Sequence, residues 1–287
     1  MMYYGHELQF GTFITPVNNP PSQAVELAVL SEELGYDLVT FQDHPYQSAF
    51  FDTWTLLTWV AASTQHIRLS PNVLNLPLRP PAVIARAAAS LDLLSGGRFD
   101  LGLGAGSFWD AIASMGGRRL SPGQAVDALS EAIDVMRALW QAGDRSPLRV
   151  DGEYYMLHGA KRGPAPAHDI PIWLGAYKPR MLRLTGRKAD GWLPSLGYFK
   201  PGDLQAANAM IDAAAVRAGR DPRAIRRLVN IGGTFDGSSA QRVQQLLPLV
   251  LEDGIGTFIL GSDEPDVLRR FALEVAPALR DAVATAR

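Results

Sequence analysis

Three short stretches of the chain place reactive or ligand-binding residue types at spacings that chemistry can use. Gln42-Asp43-His44 closes an apolar, β-branched run, and an imidazole at a strand end can donate to or accept from a reacting carbonyl or ring nitrogen near neutral pH. The adjacent Asp43 carboxylate is expected to fix the His44 tautomer. A rim histidine satisfied by water is the competing reading, and the residues alone leave both open. The second stretch, GLGAGS at 102–107, sets Gly102, Gly104 and Gly106 on alternate positions after Phe99, Leu101 and Leu103. A dinucleotide fingerprint would need these glycines to open a helix directly, with an acidic residue ending a second strand about 20 residues later. Asp127 stands near that spacing but inside an amphipathic helix, so that reading fails. What remains is a bare strand end, Gly104-Ala105-Gly106, open to a planar ring, or packing relief in a crowded interior; alternation on one face favours ligand approach. In the third stretch, Leu174 to Arg180, a strand ends in Gly175-Ala176 and Pro179 opens a helix. Free N–H groups at that helix start, with Lys178 and Arg180, suit a phosphate. An ordinary turn with solvent-facing bases is the alternative.

Other chemistries find no support. The chain has no cysteine, which removes thiolate nucleophiles, iron–sulfur clusters and cysteine-ligated zinc. No His-x-His pair suggests a metal, and none is expected. His6, His66, His158 and His168 fall in the tail, before a strand, or in an insertion. Ser107, Ser195 and Ser262 follow strands without a nucleophile-elbow context.

The elements that must position these residues alternate from end to end. Strand-like runs at 8–14, 37–42, 67–75, 99–106, 171–176, 191–197, 227–235 and 257–262 are separated by helical patterns, eight pairs in all, which is the arithmetic of a (β/α)8 TIM barrel. A doubly wound sheet is second. Ser121-Pro122-Gly123-Gln124 has capping-box spacing ahead of an apolar stripe through Val126, Leu129, Ile133, Met136 and Trp140. Pro81 and Pro265 open other helices, the first ended by Ser95-Gly96-Gly97. The chain is expected to be one domain over 1–287, with an insertion at about 145–170, between helix 4 and strand 5, expected to cover the substrate. Arg217, Arg220, Arg223, Arg226 and Arg227 suggest a solvated face. A formal charge of -2 and 47 % hydrophobic content over 287 residues point to a globular chain with small-molecule rather than nucleic-acid partners. No leader or membrane-spanning run is evident, and a cytoplasmic location is expected.

Taken together, FGTFITP, QDHPY, LRPPAVIARAAASLDLLSGGRFDLGLGAGSFWD and PIWLGAYKPRMLRLTGRKADGWLPS resemble the luciferase-like flavin-dependent oxidoreductases over almost the whole chain. The resemblance implies a flavin or deazaflavin ring at the barrel mouth, with its phosphate at the Gly175-Ala176 turn and Asn72-Val73 at a non-prolyl cis peptide beneath the ring. Asp43-His44 is similar to the pair of the coenzyme F420-dependent branch; the luciferase branch more often has Glu-His-His. Ser107 stands where one F420-dependent subgroup carries a catalytic glutamate, with Asp110 as a substitute acid. Phe13, Phe108 and Trp109 would line the substrate. The function implied is F420-dependent hydride transfer involving a small organic substrate, in a homodimer. The alternatives are an FMN-dependent monooxygenase served by a separate flavin reductase, and a non-catalytic flavin-binding barrel.

Overall fold

The computed structural model describes residues 4–234 and 237–286. Strand β1 (Gln9–Ile14) is followed by α1 (Gln23–Glu33), β2 (Leu38–Phe41), α2 (Thr53–Ser63), β3 (Arg68–Pro71), β4 (Leu74–Asn75), α3 (Pro81–Ser95) and β5 (Leu101–Gly104). Then come α4 (Trp109–Ser114), α5 (Pro122–Trp140), β6 (Leu148–Asp151), β7 (Met156–Ala160), β8 (Ile172–Leu174), α6 (Pro179–Lys188) and β9 (Gly191–Trp192). The chain finishes with α7 (Asp203–Arg217), β10 (Arg226–Gly232), α8 (Ser239–Leu251), β11 (Thr257–Gly261), α9 (Pro265–Arg270) and α10 (Ala276–Ala286).

Nine parallel strands run in the order β3-β2-β1-β11-β10-β9-β8-β5-β4. Because β3 and β4 are halves of one stave interrupted at Asn72-Val73, and Leu69 bridges Phe99 across the remaining gap, the sheet closes as an eight-stave (β/α)8 barrel. The peptide between Asn72 and Val73 is cis, and the run expected as one strand over 67–75 is two. The end of the strand expected at 227–235 lies outside the described residues at Phe235.

The strands read as continuous apolar runs because both of their faces are covered. Leu38, Trp173, Leu193, Leu228 and Ile259 fill the interior, with Phe13 and Val73 above them, while Phe10, Val39, Leu101 and Val229 pack outward under the helices. Ser121 and Gln124 form the expected capping box on α5, and Gly96 ends α3 in the left-handed region at φ 71°. An added turn, α4, precedes α5. Arg98 follows the end of α3, and its guanidinium donates to the carbonyls of Ala61, Thr64 and Ile67, so it closes the C-terminal end of α2 as well.

The basic stretch after α7 is not one solvated face. Arg227 is fully buried; it donates to Asn208 at 2.7 Å and Asp212 at 2.5 Å and lies over the Tyr4 ring. Arg217 and Arg223 are exposed as expected. The insertion also departs from expectation. Its hairpin, β6 with β7, is held on the outside of the barrel because the Glu131 carboxylate on α5 accepts the backbone N–H groups of Glu153, Tyr154 and Tyr155. The segment then passes Ala138 and Leu139 on α5. It ends beneath α3, where fully buried Asp92 accepts from the backbone of Ala167 at 2.7 Å and His168 at 3.1 Å and meets His168 Nδ1 at 2.9 Å.

Removing Asp92 strands these donors in a dry site, so Asp92→Ala is expected to cost about 2–4 kcal/mol of unfolding free energy by chemical denaturation. Asp151→Ala, at an exposed ion pair with Arg149, should change it by less than about 0.5 kcal/mol.

Candidate active site

The C-terminal ends of the staves open into a cleft of about 1080 Å³. It runs from the β2 loop, past the break in the third stave, and outward between α6 and α7. No residue of the 145–170 insertion lines it, so the insertion does not cover the mouth. Phe13, Asp43, His44, Asn72, Val73, Gly104, Ala105, Gly106, Ser107, Phe108, Gly175 and Lys178 do line it, which brings most of the sequence candidates together. Trp109, Ala176 and Arg180 lie outside the lining.

His44 is half-buried between two aromatic rings, Tyr46 stacked at 5.4 Å and Phe108 edge-on at 5.5 Å. Burial lowers its pKa, and the Asp43 charge only partly opposes this; the imidazole is therefore neutral at neutral pH. Asp43 does not fix the tautomer as expected, because among the described residues it makes no hydrogen bond to the ring and its Oδ1 is buried without a partner. Asp43 Oδ2 accepts from the Asn75 backbone N–H at 2.7 Å and from the Arg79 guanidinium. The other arm of Arg79 reaches Asp52 at 2.6 Å, and Asp52 caps α2 by accepting from the Thr55 N–H. Two aspartates thus share one guanidinium. Asp43 is 2 % exposed, and burial pushes its pKa up against the pull of Arg79 and the Asn75 N–H.

The glycine strand has a different use from the one expected. A Cβ at Gly102 would stand 2.1 Å from the Pro71 carbonyl, and one at Gly104 2.7 Å from Val73 Cγ2. The space a Cβ would need at Gly102 and Gly104 is thus filled by the broken stave, while Gly104 still lines the cleft. Gly106 is required by its φ of 96° and is covered by Pro77 and Trp109. What borders the cleft is the Val73 side chain seated against Gly104. At Gly175, by contrast, a Cβ would meet only ordinary contacts at 3.6 Å, so neighbouring packing does not demand a glycine there.

Around the start of α6, Lys178 is exposed, whereas Ala176 is buried and its carbonyl accepts from Trp192 Nε1. Arg180 pairs with Asp127 at 2.7 Å on the outer surface. Ser107 is exposed on the rim; Asp110 is exposed and paired with Arg119.

Residues that sequence reasoning missed complete the mouth. Asn230 on β10 exchanges amide hydrogen bonds with Asn72, at 2.7 Å and 3.2 Å, and donates to Ser195 Oγ; Asn72 also donates to Thr40 Oγ1. A lone amide inside the apolar run RLVNIG was the available signal. Tyr177 accepts the Ser195 N–H at 2.7 Å and packs with Tyr198 and Phe199 at the outer end. The side-chain carbonyl of Asn75 is buried in the cleft wall without a hydrogen-bond partner, an acceptor that a bound donor would satisfy. Among the described residues no group of side chains could hold a metal ion. A long cleft with an unpaired lysine at a helix N-terminus fits a large planar ligand carrying an anionic arm.

The chain is similar to several known proteins. An F420-dependent glucose-6-phosphate dehydrogenase of Nocardia farcinica (strain IFM 10152) is 34% identical over 239 residues, 80% of this chain and 70% of the relative. A 5,10-methylenetetrahydromethanopterin reductase of Methanolobus tindarius is 34% identical over 220 residues, 76% of this chain and 63% of the relative. The solved structure of an F420-dependent secondary alcohol dehydrogenase in complex with an F420-acetone adduct has the same fold, with a TM-score of 0.82 at 23% identity, covering 96% of this chain and 100% of that one. The family model described as luciferase-like monooxygenase matches residues 8–272, and the chain belongs to that family.

Proposed function

We propose that the chain is an F420-dependent oxidoreductase acting on a small organic substrate at the barrel mouth. One observation carries the reading: a neutral, half-buried His44, whose ring nitrogens make no hydrogen bond among the described residues, borders a cleft able to take a large planar ligand. The relatives named as F420-dependent at 34% identity support it. When bound, a 5-deazaflavin supplies hydride chemistry at its C5 carbon without activating oxygen.

The roles of the chain's own residues follow from their positions. Asn72, Val73, Gly104, Ala105 and Gly106 would border the ring, and the Asn75 carbonyl would accept a ring N–H. Gly175, Lys178 and the free N–H groups opening α6 would hold the phosphate; the Ala176 N–H and Arg180 are poorer candidates, since Ala176 is buried and Arg180 is paired elsewhere. His44 takes a hydroxyl proton from the substrate in the oxidative direction and returns it in the reductive one. Asp43 acts through Arg79 as a positioning residue. Ser107, exposed on the same rim, is a hydroxyl available to relay that proton to water. Phe108 and Tyr46 exclude water from the imidazole, Phe13 lines the same cleft, and Trp109 supports the rim from behind Gly106. A homodimer belongs to the same reading.

Absorbance titration should show F420 binding, and the reduced complex should consume no oxygen. Oxygen uptake with reduced FMN would replace this reading with the monooxygenase one, and failure of both cofactors to bind would remove both. His44→Ala should lower turnover about 10²–10⁴-fold while the F420 dissociation constant stays the same; full turnover by this variant would leave a non-catalytic rim histidine. In the oxidative direction the neutral imidazole is the active form. Because burial depresses the His44 pKa, the acid limb of kcat/KM should lie below the usual imidazole value of ~6.5, and it should vanish in His44→Gln.

A further inference from the structure

We infer that the substrate is an uncharged alcohol or carbonyl compound with a flat apolar body, not a sugar phosphate or other anion. The inference rests on the function proposed above, in which substrate meets His44. Besides His44, the charged side chains lining the cleft among the described residues are Asp43, Lys178 and Asp203. Lys178 is therefore its one permanent cation. It stands at the start of α6, where a cofactor phosphate would use it, and Asp203 shares that outer end at the start of α7.

Among the described residues lining the His44 end, none is a free cation that could answer a negative charge. Its wall is made by Phe13, Gln42, Tyr46 and Phe108, with the buried carboxylate of Asp43 behind. Arg79, the guanidinium bound to that carboxylate, is outside the lining and committed to Asp43 and Asp52. A phosphate at this end would be desolvated without a counter-ion and would stand near a like charge, which is among the costliest arrangements a site can impose. A flat neutral ligand meets the opposite conditions. The rings of Tyr46 and Phe108, 6.0 Å apart, offer aromatic surface. The Gln42 side-chain amide, which makes no protein hydrogen bond among the described residues, is available to orient one oxygen.

The test uses F420-loaded protein, with F420 binding measured first by absorbance titration and ligand binding then measured by saturation-transfer NMR and calorimetry. The probes are benzyl alcohol, its charged counterpart benzyl phosphate, and glucose 6-phosphate. Benzyl alcohol should bind, with both phosphates at least about tenfold weaker. Phe108→Ala, at a side chain 57% exposed, should weaken benzyl alcohol about five- to tenfold without changing F420 affinity. Gln42→Arg, which supplies the missing cation, should raise benzyl phosphate affinity. Either phosphate binding as tightly as benzyl alcohol in the unmodified protein, or no transfer to benzyl alcohol, overturns the inference. Absence of F420 binding overturns instead the function on which it rests.

Discussion

The guanidinium of Arg79 is the tie on which the geometry of the mouth depends. It stands on the chain leading from the broken third stave into α3 and holds two carboxylates of another segment, Asp43 and Asp52. Asp43 begins the loop after β2, and Asp52 caps the helix that ends that loop, so both ends of the His44 loop are fastened to one planar group. Leaving Asp43 buried without Arg79 would strand a charge away from water. The same bonds engage the carboxylate through Oδ2, and among the described residues the imidazole nitrogens make no hydrogen bond. In the proposed function, positioning falls to Asp43 and proton transfer to His44.

A second set of ties crosses the mouth itself. The side chains of Asn72 and Asn230 face each other from opposite parts of the barrel and link Thr40 and Ser195. Above the apolar plug, this polar layer makes its hydrogen bonds internally, as a buried amide must. Val73 sits beside it, against the space that Gly104 leaves free. The glycine strand thus shapes the cleft indirectly, by letting a valine side chain be its surface.

Much of this was legible in the sequence, and the legible parts share a cause. Capping at Ser121, the α3 boundaries at Pro81 and Gly96, and the strand rhythm are written within a few residues of where they act. His44 could be singled out because its strand-end position is local too. What was missed depends on partners far along the chain. Arg79 is 36 residues from Asp43, and Asn230 is 158 residues from Asn72. The Arg227 side chain is buried because Asn208 and Asp212 on α7 receive it, and no feature of an arginine-rich run announces that. The path of the insertion was likewise set by carboxylates on two helices, Glu131 and Asp92, whose role shows only once the helices are side by side.

Fastening the insertion to the outer wall and the base has an effect at the other end of the barrel. The longest excursion in the chain is spent as a girdle, so the port above Val73 has no flap drawn from it. A ligand entering the cleft therefore passes the exposed rings of Phe108 and Tyr198 rather than the insertion. The girdle also touches the back of the cleft wall: Tyr154 and Tyr155, held by Glu131, border a small cavity with Pro77 and Ala105, and Ala105 faces the cleft on its other side. Gln42, Tyr46 and Phe108 line the cleft, whereas Asp92 and Glu131, which anchor the insertion, do not.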